Sequence, residues 1–172
     1  MADNPVRLQA REVSYHYPDG TVALDQIDLS IHDGEFIGLL GANGSGKTTL
    51  LKVLDGLIRD FKGAVTLDGS NIKALTAKEI YGKMGMVFQN PDDQLFASTV
   101  FEDVAFGPIN MGFSDREVKE RVNRAMADVE MEGVAKKSIH HLSFGQKKRI
   151  CIAGLLAMGH QILLLDEPTS GL

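Results

Sequence analysis

Cysteine is nearly absent from these 172 residues: Cys151 stands alone, so no internal disulfide can form. That excludes a cross-linked extracellular scaffold and fits a reducing compartment. Cys151 sits in the apolar run Ile150 to Met158, the setting of a small buried core residue. Excess positive charge is also lacking. Lys+Arg 18 against Asp+Glu 23 leaves a net charge of −5, which argues against a non-specific grip on nucleic acid or on an anionic membrane face. Long apolar runs are missing: the most apolar stretch, Ile150 to Leu165, is cut by Gly159-His160-Gln161, whereas spanning a bilayer takes about 20 apolar residues. Any membrane role is therefore expected to come through a partner. Met1 to Pro5 shows no basic region followed by an apolar stretch, so no targeting segment is expected there. The five His and the lone Cys form no plausible metal cluster, and His140-His141 reads as a solvated pair. No repeat, low-complexity tract or linker is evident.

What remains is ordinary globular composition, 44% hydrophobic and 24% charged, in a length that suits one domain. Leu24, Ile27, Leu29 and Ile31 are mostly spaced by two and predict a half-buried strand. His32-Asp33-Gly34 is a turn signal, and Phe36 to Leu40 is a short apolar run of buried-strand type. A Gly-rich loop follows, then a helical pattern through Leu50, Leu51, Leu54 and Leu57. Val65 to Leu67 and Met86 to Phe88 are further strand candidates. Ser114-Asp115-Arg116-Glu117 is a capping-box start, with Val118, Val122, Ala125, Met126 and Val129 on one helical face. Ile162 to Leu165 predicts a strand buried on both faces.

Three patterns carry chemistry. Gly41-Ala42-Asn43-Gly44-Ser45-Gly46-Lys47-Thr48 fits G-x-x-x-x-G-K-[ST]. Glycines let the backbone curl until successive N–H groups point inward at phosphate oxygens, and the following helix adds its positive end. Lys47 supplies a point charge for the β- and γ-phosphates, and the Thr48 hydroxyl is a hard ligand for Mg²⁺. A chance match in a chain this size is expected on the order of 1 time in 100 at about 7% glycine. The flanking apolar run and helical pattern make the phosphate reading the stronger one. Asp166-Glu167 closes the run Ile162 to Leu165. Such a pair alone is usually a solvated turn. Beside a phosphate loop, Asp166 could hold Mg²⁺ and Glu167 could orient or deprotonate an attacking water. Leu142-Ser143-Phe144-Gly145-Gln146 precedes the run Lys147 to Met158. Ser143 is a helix N-cap, and a hydroxyl at a helix start is also an anion site. Two anion sites for one γ-phosphate are reconciled if two chains meet head to tail, each site facing the other chain's loop.

Taken in order, the phosphate loop, Gln89, Leu-Ser-Phe-Gly-Gln and Leu-Leu-Leu-Asp-Glu-Pro-Thr-Ser-Gly-Leu resemble the ABC transporter ATPases from about Val13 to Leu172. The resemblance implies an α/β P-loop fold with a mostly parallel core sheet, an N-terminal antiparallel β part and a helical insert. It implies ATP held by Tyr17, by Gly41 to Thr48 and by Thr49, with Tyr17 stacking on adenine. It implies Mg²⁺ at Thr48, Gln89 and Asp166, catalysis by Glu167 and Gln89, and Ser143, Phe144, Gly145 and Gln146 acting on the partner's ATP. Phe144 departs from the family, which most often has Gly there, and bears on the tightness of the dimer site. Phe88 to Phe96 and Asp103 to Pro108 narrow the likeness to the energy-coupling-factor and cobalt/nickel importer ATPases. Those drive capture of vitamins or transition-metal ions, so the implied partners are a second ATPase subunit and an integral membrane subunit, at the cytoplasmic face of the membrane.

Two other classes share some motifs. Chromosome-maintenance and DNA-repair ATPases need a long coiled coil between the glutamine and the signature, and residues 90–141 carry no sustained heptads. Small GTPases need a guanine reader of the Asn-Lys-x-Asp type, which is absent, and leave the signature unexplained. The expected organisation is one domain over 1–172, with a β part and P-loop core over 1–89, a helical subdomain over 90–141, and the signature helix and Asp-Glu strand over 142–172. In the family, further strands and a γ-phosphate-contacting His follow, so the sequence is expected to be a fragment or truncated product, its C-terminal strands missing and incomplete for hydrolysis.

Overall fold

The computed structural model describes residues 4–168; the Thr169 to Leu172 end of the Asp-Glu-Pro motif lies outside the described residues. The chain forms two compact units, residues 1–81 and 82–172.

In the first unit, β1 (Val6–His16) pairs antiparallel with β2 (Val22–His32) and with β3 (Lys62–Leu67), and β3 pairs with the short β4 (Ser70–Asn71). The sheet order is β2-β1-β3-β4. Leu8, Ala10 and Val13 of β1 and Val65 and Leu67 of β3 are buried. The three-residue step from Leu24 to Ile27 has a local cause. Gln26 adopts a positive φ of 50°, and its N–H donates to Ser14 Oγ at 2.8 Å, so the strand bulges and keeps Ile27 half-buried. Arg7 ties the sheet's end together, bonding Asp33 at 2.9 Å and Asp68 at 2.6 Å.

Helix α1 (Lys47–Leu54) buries Leu50, Leu51, Val53 and Leu54. It stops before Leu57, which is 46% exposed. The short α2 (Ala77–Tyr81) ends the unit. The run Phe36 to Leu40 is not a strand. It pairs with no strand among the described residues, and Phe36 and Leu40 are each 96% exposed. A strand buried on both faces needs a ladder partner and a covering layer. The apolar pattern alone supplies neither.

In the second unit, β5 (Met84–Val87) and β6 (Ile162–Leu165) form a parallel pair, Met84 opposite Ile162 and Val87 opposite Leu165. Of β6 only Leu164 is fully buried, so this strand is less enclosed than its four apolar residues suggest. Helices α3 (Val100–Asn110), α4 (Asp115–Asp128) and α5 (Phe144–Met158) pack around Val104, Val122, Met126, Ile150 and Ala153. Each starts in a reciprocal capping box: Thr99 with Glu102, Ser114 with Glu117, Ser143 with Gln146. Gly159, at a φ of 81°, ends α5 in the left-handed conformation that favours glycine. Cys151 lies on the buried face of α5, and burial pushes its thiol up to about 12, which keeps it a packing residue.

One residue of the first core is at odds with its surroundings. Asp55 follows α1 and is 3% exposed, yet its Oδ1 has no hydrogen-bond partner. Burial alone raises its carboxyl from 3.8 to about 7. The neighbouring Arg59 donates to the carbonyls of Gly56 and Leu75, while Tyr81 is held above its ordinary value by burial and then by Asp55. The folded state thus keeps a proton that the unfolded chain has lost, and stability falls as pH rises from about 4 to 7. Asp55→Asn is expected to stabilise the fold at pH 8 by a few kcal/mol and to be nearly neutral at pH 4, since each tenfold gain in proton affinity on folding is worth about 1.4 kcal/mol. Urea unfolding at the two pH values measures this; equal stability of variant and wild type at pH 8 contradicts it.

Candidate nucleotide site

The loop Gly41 to Gly46 runs directly into α1. Gly46 is the N-cap at a φ of 89°, and it offers the helix no side-chain acceptor. A Cβ there would lie 2.3 Å from the Ala23 carbonyl oxygen, so only glycine lets the loop approach β2 this closely. Gly44 also has a positive φ, 80°. The first N–H groups of α1 therefore face the loop without a capping oxygen, an arrangement an anion satisfies. Lys47 folds back over the loop, its Nζ donating to the carbonyls of Gly41 at 2.8 Å and Ala42 at 2.9 Å. The ammonium is thus parked at the mouth of the cradle rather than spent on a carboxylate. Glycine backbone, uncapped helix start and lysine together fit a polyphosphate.

Tyr17 follows β1 and is 38% exposed. Its hydroxyl bonds Thr49 Oγ1 at 2.8 Å, and Tyr15 meets its ring edge-on at 5.1 Å between centroids. The structure therefore brings Tyr17 alongside the start of α1 and fixes its ring from two directions. Thr49 is buried and serves as the anchor of Tyr17.

The second unit assembles another set. Asp166 continues the parallel ladder, its N–H donating to the Val87 carbonyl at 3.0 Å, and it is buried. Glu167 follows in the left-handed region, φ 45°, unusual for a residue with a Cβ. Gln89, just past β5, donates from Nε2 to Glu167 Oε2 at 2.8 Å. The segment after Gln89 is built to hold that reach. Gln94 accepts from the Phe88 N–H at 3.2 Å and donates to the Met86 carbonyl at 3.3 Å, bracing the end of β5. Asn90 caps the 3-10 turn Pro91–Asp93. Asp92 then pairs with Lys147, on the first turn of α5, at 2.6 Å.

The pentapeptide opens α5. Ser143 Oγ accepts from the Gln146 N–H at 3.3 Å, and Gln146 Oε1 accepts from the Ser143 N–H at 3.0 Å. Gly145 lies within the first turn, and the Phe144 ring is 38% exposed. His140 and His141 are both exposed. Thr48 in the first unit, and Gln89 and Asp166 in the second, each carry an oxygen of the hard type that Mg²⁺ takes. No cluster of three His, Cys, Asp or Glu side chains occurs among the described residues.

Sequence reading passed over one residue of this set. Lys148 is 3% exposed, and its Nζ donates to the main-chain carbonyl of Glu167. The signal was present: Lys148, Cys151 and Leu155 share the buried face of α5 at helical spacing, so a charge sits where the pattern asks for an apolar residue.

Comparison with known proteins gives the family and the fold. The family model described as "ABC transporter" matches residues 24–170. A putative ABC transporter ATP-binding protein of Geobacter sulfurreducens is 66% identical over 159 residues, 92% of this chain and 57% of that protein. An energy-coupling factor transporter ATP-binding protein of Methanosphaera stadtmanae is 52% identical, over 96% of this chain and 60% of that protein. The chain thus spans somewhat under two thirds of the length of these relatives. Among solved structures, cbiO1 from Clostridium perfringens, described as part of the ABC transporter complex cbiONQ, superposes with a TM-score of 0.87 at 41% identity, covering 98% of this chain and 68% of that one. A dimeric ATP-binding cassette in a post-hydrolysis state, bound to ADP and phosphate, gives 0.85 at 30% identity, covering 96% and 75%. On this match of sequence, fold and loop geometry, the chain belongs to the ABC transporter family, as its ATP-binding cassette.

Proposed function

We propose that the chain is the ATP-binding and ATP-hydrolysing part of a subunit that energises a membrane importer, with cobalt or nickel ions or a vitamin as cargo. The observation that supports the hydrolytic reading is the hydrogen bond from Gln89 Nε2 to the Glu167 carboxylate, the pair read here as sensor and water-orienting group. The cargo reading leans on the relatives that are named as energy-coupling factor and cbiONQ components.

In this reading, Gly41 to Thr48 and Thr49 hold the phosphates and Tyr17 stacks on adenine. Lys47 leaves the Gly41 and Ala42 carbonyls for phosphate oxygens, a charge-assisted contact that is stronger than the one it gives up. Thr48, Gln89 and Asp166 would hold Mg²⁺, whose positive charge would offset negative charge on the phosphates. Glu167 orients water and takes its proton on the carboxylate. Gln89, bonded to that carboxylate, reports whether the site is filled. Ser143, Phe144, Gly145 and Gln146 act on the nucleotide of a second ATPase subunit. Residues 90–141 serve as a helical subdomain between the core and the signature. Among the described residues no helix is long and apolar enough to cross a membrane. In this reading an integral membrane subunit supplies the path, and the ATPase works peripherally at its cytoplasmic face.

Only part of the apolar segment after Gln89 is available as a surface for that subunit. Val100 and Val104 are buried, and Leu95 and Phe101 pack against the helical core. Phe96 is 66% exposed, Phe106 49% and Ile109 58%. Asp103 accepts from the N–H groups of Phe96 and Ala97, both at 2.9 Å, which turns the Phe96 ring out. There it meets Phe106 edge-to-face at 4.7 Å. A paired aromatic surface of this kind suits docking against an apolar groove.

Two outcomes follow. In the full-length protein, Glu167→Gln is expected to retain Mg·ATP, to hold a stable dimer, and to lower turnover by about 100-fold or more, because only the proton-accepting step is lost. Wild-type phosphate release by that variant removes Glu167 from its role. Phe96→Asp with Phe106→Asp is expected to abolish co-purification with the membrane subunit while ATP affinity stays within about twofold. Co-purification of the folded double variant moves the contact elsewhere.

A further inference from the structure

A buried lysine needs a reason, because desolvating an ammonium is costly unless its donors are used. Lys148 makes at least two contacts that use its charge. Its Nζ donates to the Glu167 carbonyl, and it lies 5.4 Å from the centroid of the Phe144 ring, within the range in which a ring face attracts a cation. Both of these contacts fall on residues that depart from ordinary behaviour. Glu167 occupies a left-handed backbone conformation, φ 45°, which persists only when surrounding contacts over-determine it. Phe144 stands where the family most often has Gly.

We propose that Lys148 is a positioning residue: it holds the Glu167 main chain so that the carboxylate meets Gln89, and through the Phe144 ring it links that carboxylate to the start of the signature helix. The proposal rests on the reading of Glu167 as the hydrolytic carboxylate.

The geometry supports each link. Glu167 is gripped from both ends, its carbonyl by Lys148 and its carboxylate by Gln89 Nε2 at 2.8 Å. The carbonyl bond fixes the peptide plane after Glu167 and so helps keep the residue in its left-handed well, from which the side chain reaches Gln89. The Phe144 ring, half out in solvent, covers the ammonium on the side of the signature. One residue along, Lys147 fastens the same helical turn to Asp92, three residues beyond Gln89. The first turn of α5 is therefore tied both to the carboxylate and to the segment that carries its sensor. If the signature meets the nucleotide of a second subunit, displacement of Phe144 by that nucleotide alters the surroundings of Lys148, and hence of this chain's own Glu167. Phe144 is then not a flaw in the signature but the cover for a lysine.

The test uses the full-length ATPase purified with its membrane subunit. It reads steady-state ATP hydrolysis, the KM for ATP and the melting temperature of each variant. Lys148→Met keeps the aliphatic volume and loses the donor. Lys148→Gln keeps a donor and loses the charge. A packing role favours Met over Gln at a buried site. The positioning role predicts the reverse: kcat falls about tenfold or more in Lys148→Met with KM within about twofold, and Lys148→Gln recovers to within about threefold of wild type. Phe144→Leu, at a half-exposed position where folding is not at stake, lowers kcat about threefold alone and not further in the Lys148→Met background. Glu167→Gln is run in parallel. If it still turns over, the reading of Glu167 fails and this inference with it. If it is inactive while Lys148→Met keeps wild-type kcat, or while Met outperforms Gln, the inference alone is overturned. If Lys148→Met does not fold, Phe144→Leu and Lys148→Gln decide: wild-type kcat in Phe144→Leu, or loss of about tenfold or more in Lys148→Gln, overturns it.

Discussion

The start of α1 sets the terms for the first unit. A helix leaves its first N–H groups without intrahelical partners, and proteins usually satisfy them with a Ser, Thr, Asp or Asn side chain. Three helices of the second unit do so, through Thr99, Ser114 and Ser143. Helix α1 does not: its N-cap is Gly46, pressed against the Ala23 carbonyl so closely that no Cβ fits. A helix start that lacks a capping oxygen, with Lys47 folded across it, gives up local stability for an anion site. Tyr17, pinned to Thr49 two residues into the same helix, lies alongside that start and is proposed to stack on adenine.

The second unit answers a different constraint, the placement of one carboxylate. Parallel pairing of β5 with β6 carries Gln89 and Asp166-Glu167 to the same end of the two strands, because parallel strands finish together. Strand pairing alone brings the residues near; it does not aim Glu167. The aim comes from side chains: Gln94 bracing the end of β5, Gln89 on the carboxylate, Lys148 on the carbonyl. Two of these three lie in or beside the Gln-Asn-Pro-Asp-Asp-Gln segment, which also throws Phe96 outward through Asp103. The segment that sets the carboxylate proposed to be catalytic thus also shapes the surface proposed for the membrane subunit.

Much of this was legible because the chemistry dictates residue types. A phosphate cradle requires glycine where φ is positive and a lysine at its end, and those residues are unmistakable in sequence. Capping boxes are equally local, and the one at Ser114 is where its pattern places it. Legibility fails where a residue's state depends on what covers it. Phe36 to Leu40 has the composition of a buried strand, yet composition does not supply a ladder partner, and the run is exposed. Ile162 to Leu165 forms its strand but buries one residue in full for the same reason. Val100 and Val104 are core residues of the helical segment, and Leu95 packs partly buried against it, a division that composition does not reveal. Asp55 and Lys148 are the converse, polar residues whose burial no periodicity announces, although Lys148 sits on the apolar face of α5. Phe144 could be seen as a departure from the family, but only the structure pairs it with the lysine one turn on.

The central claim is that the loop ending in Lys47 binds the phosphates of ATP. Its most direct test is calorimetric titration of Mg·ATP into the full-length protein and its Lys47→Ala variant. Lys47 donates to loop carbonyls, so its removal leaves the fold standing and takes away the charge aimed at the cradle. The account predicts that affinity drops by about 100-fold or more, the loss of one charge-assisted contact to phosphate together with its long-range attraction. Unchanged affinity in a folded Lys47→Ala protein would contradict it.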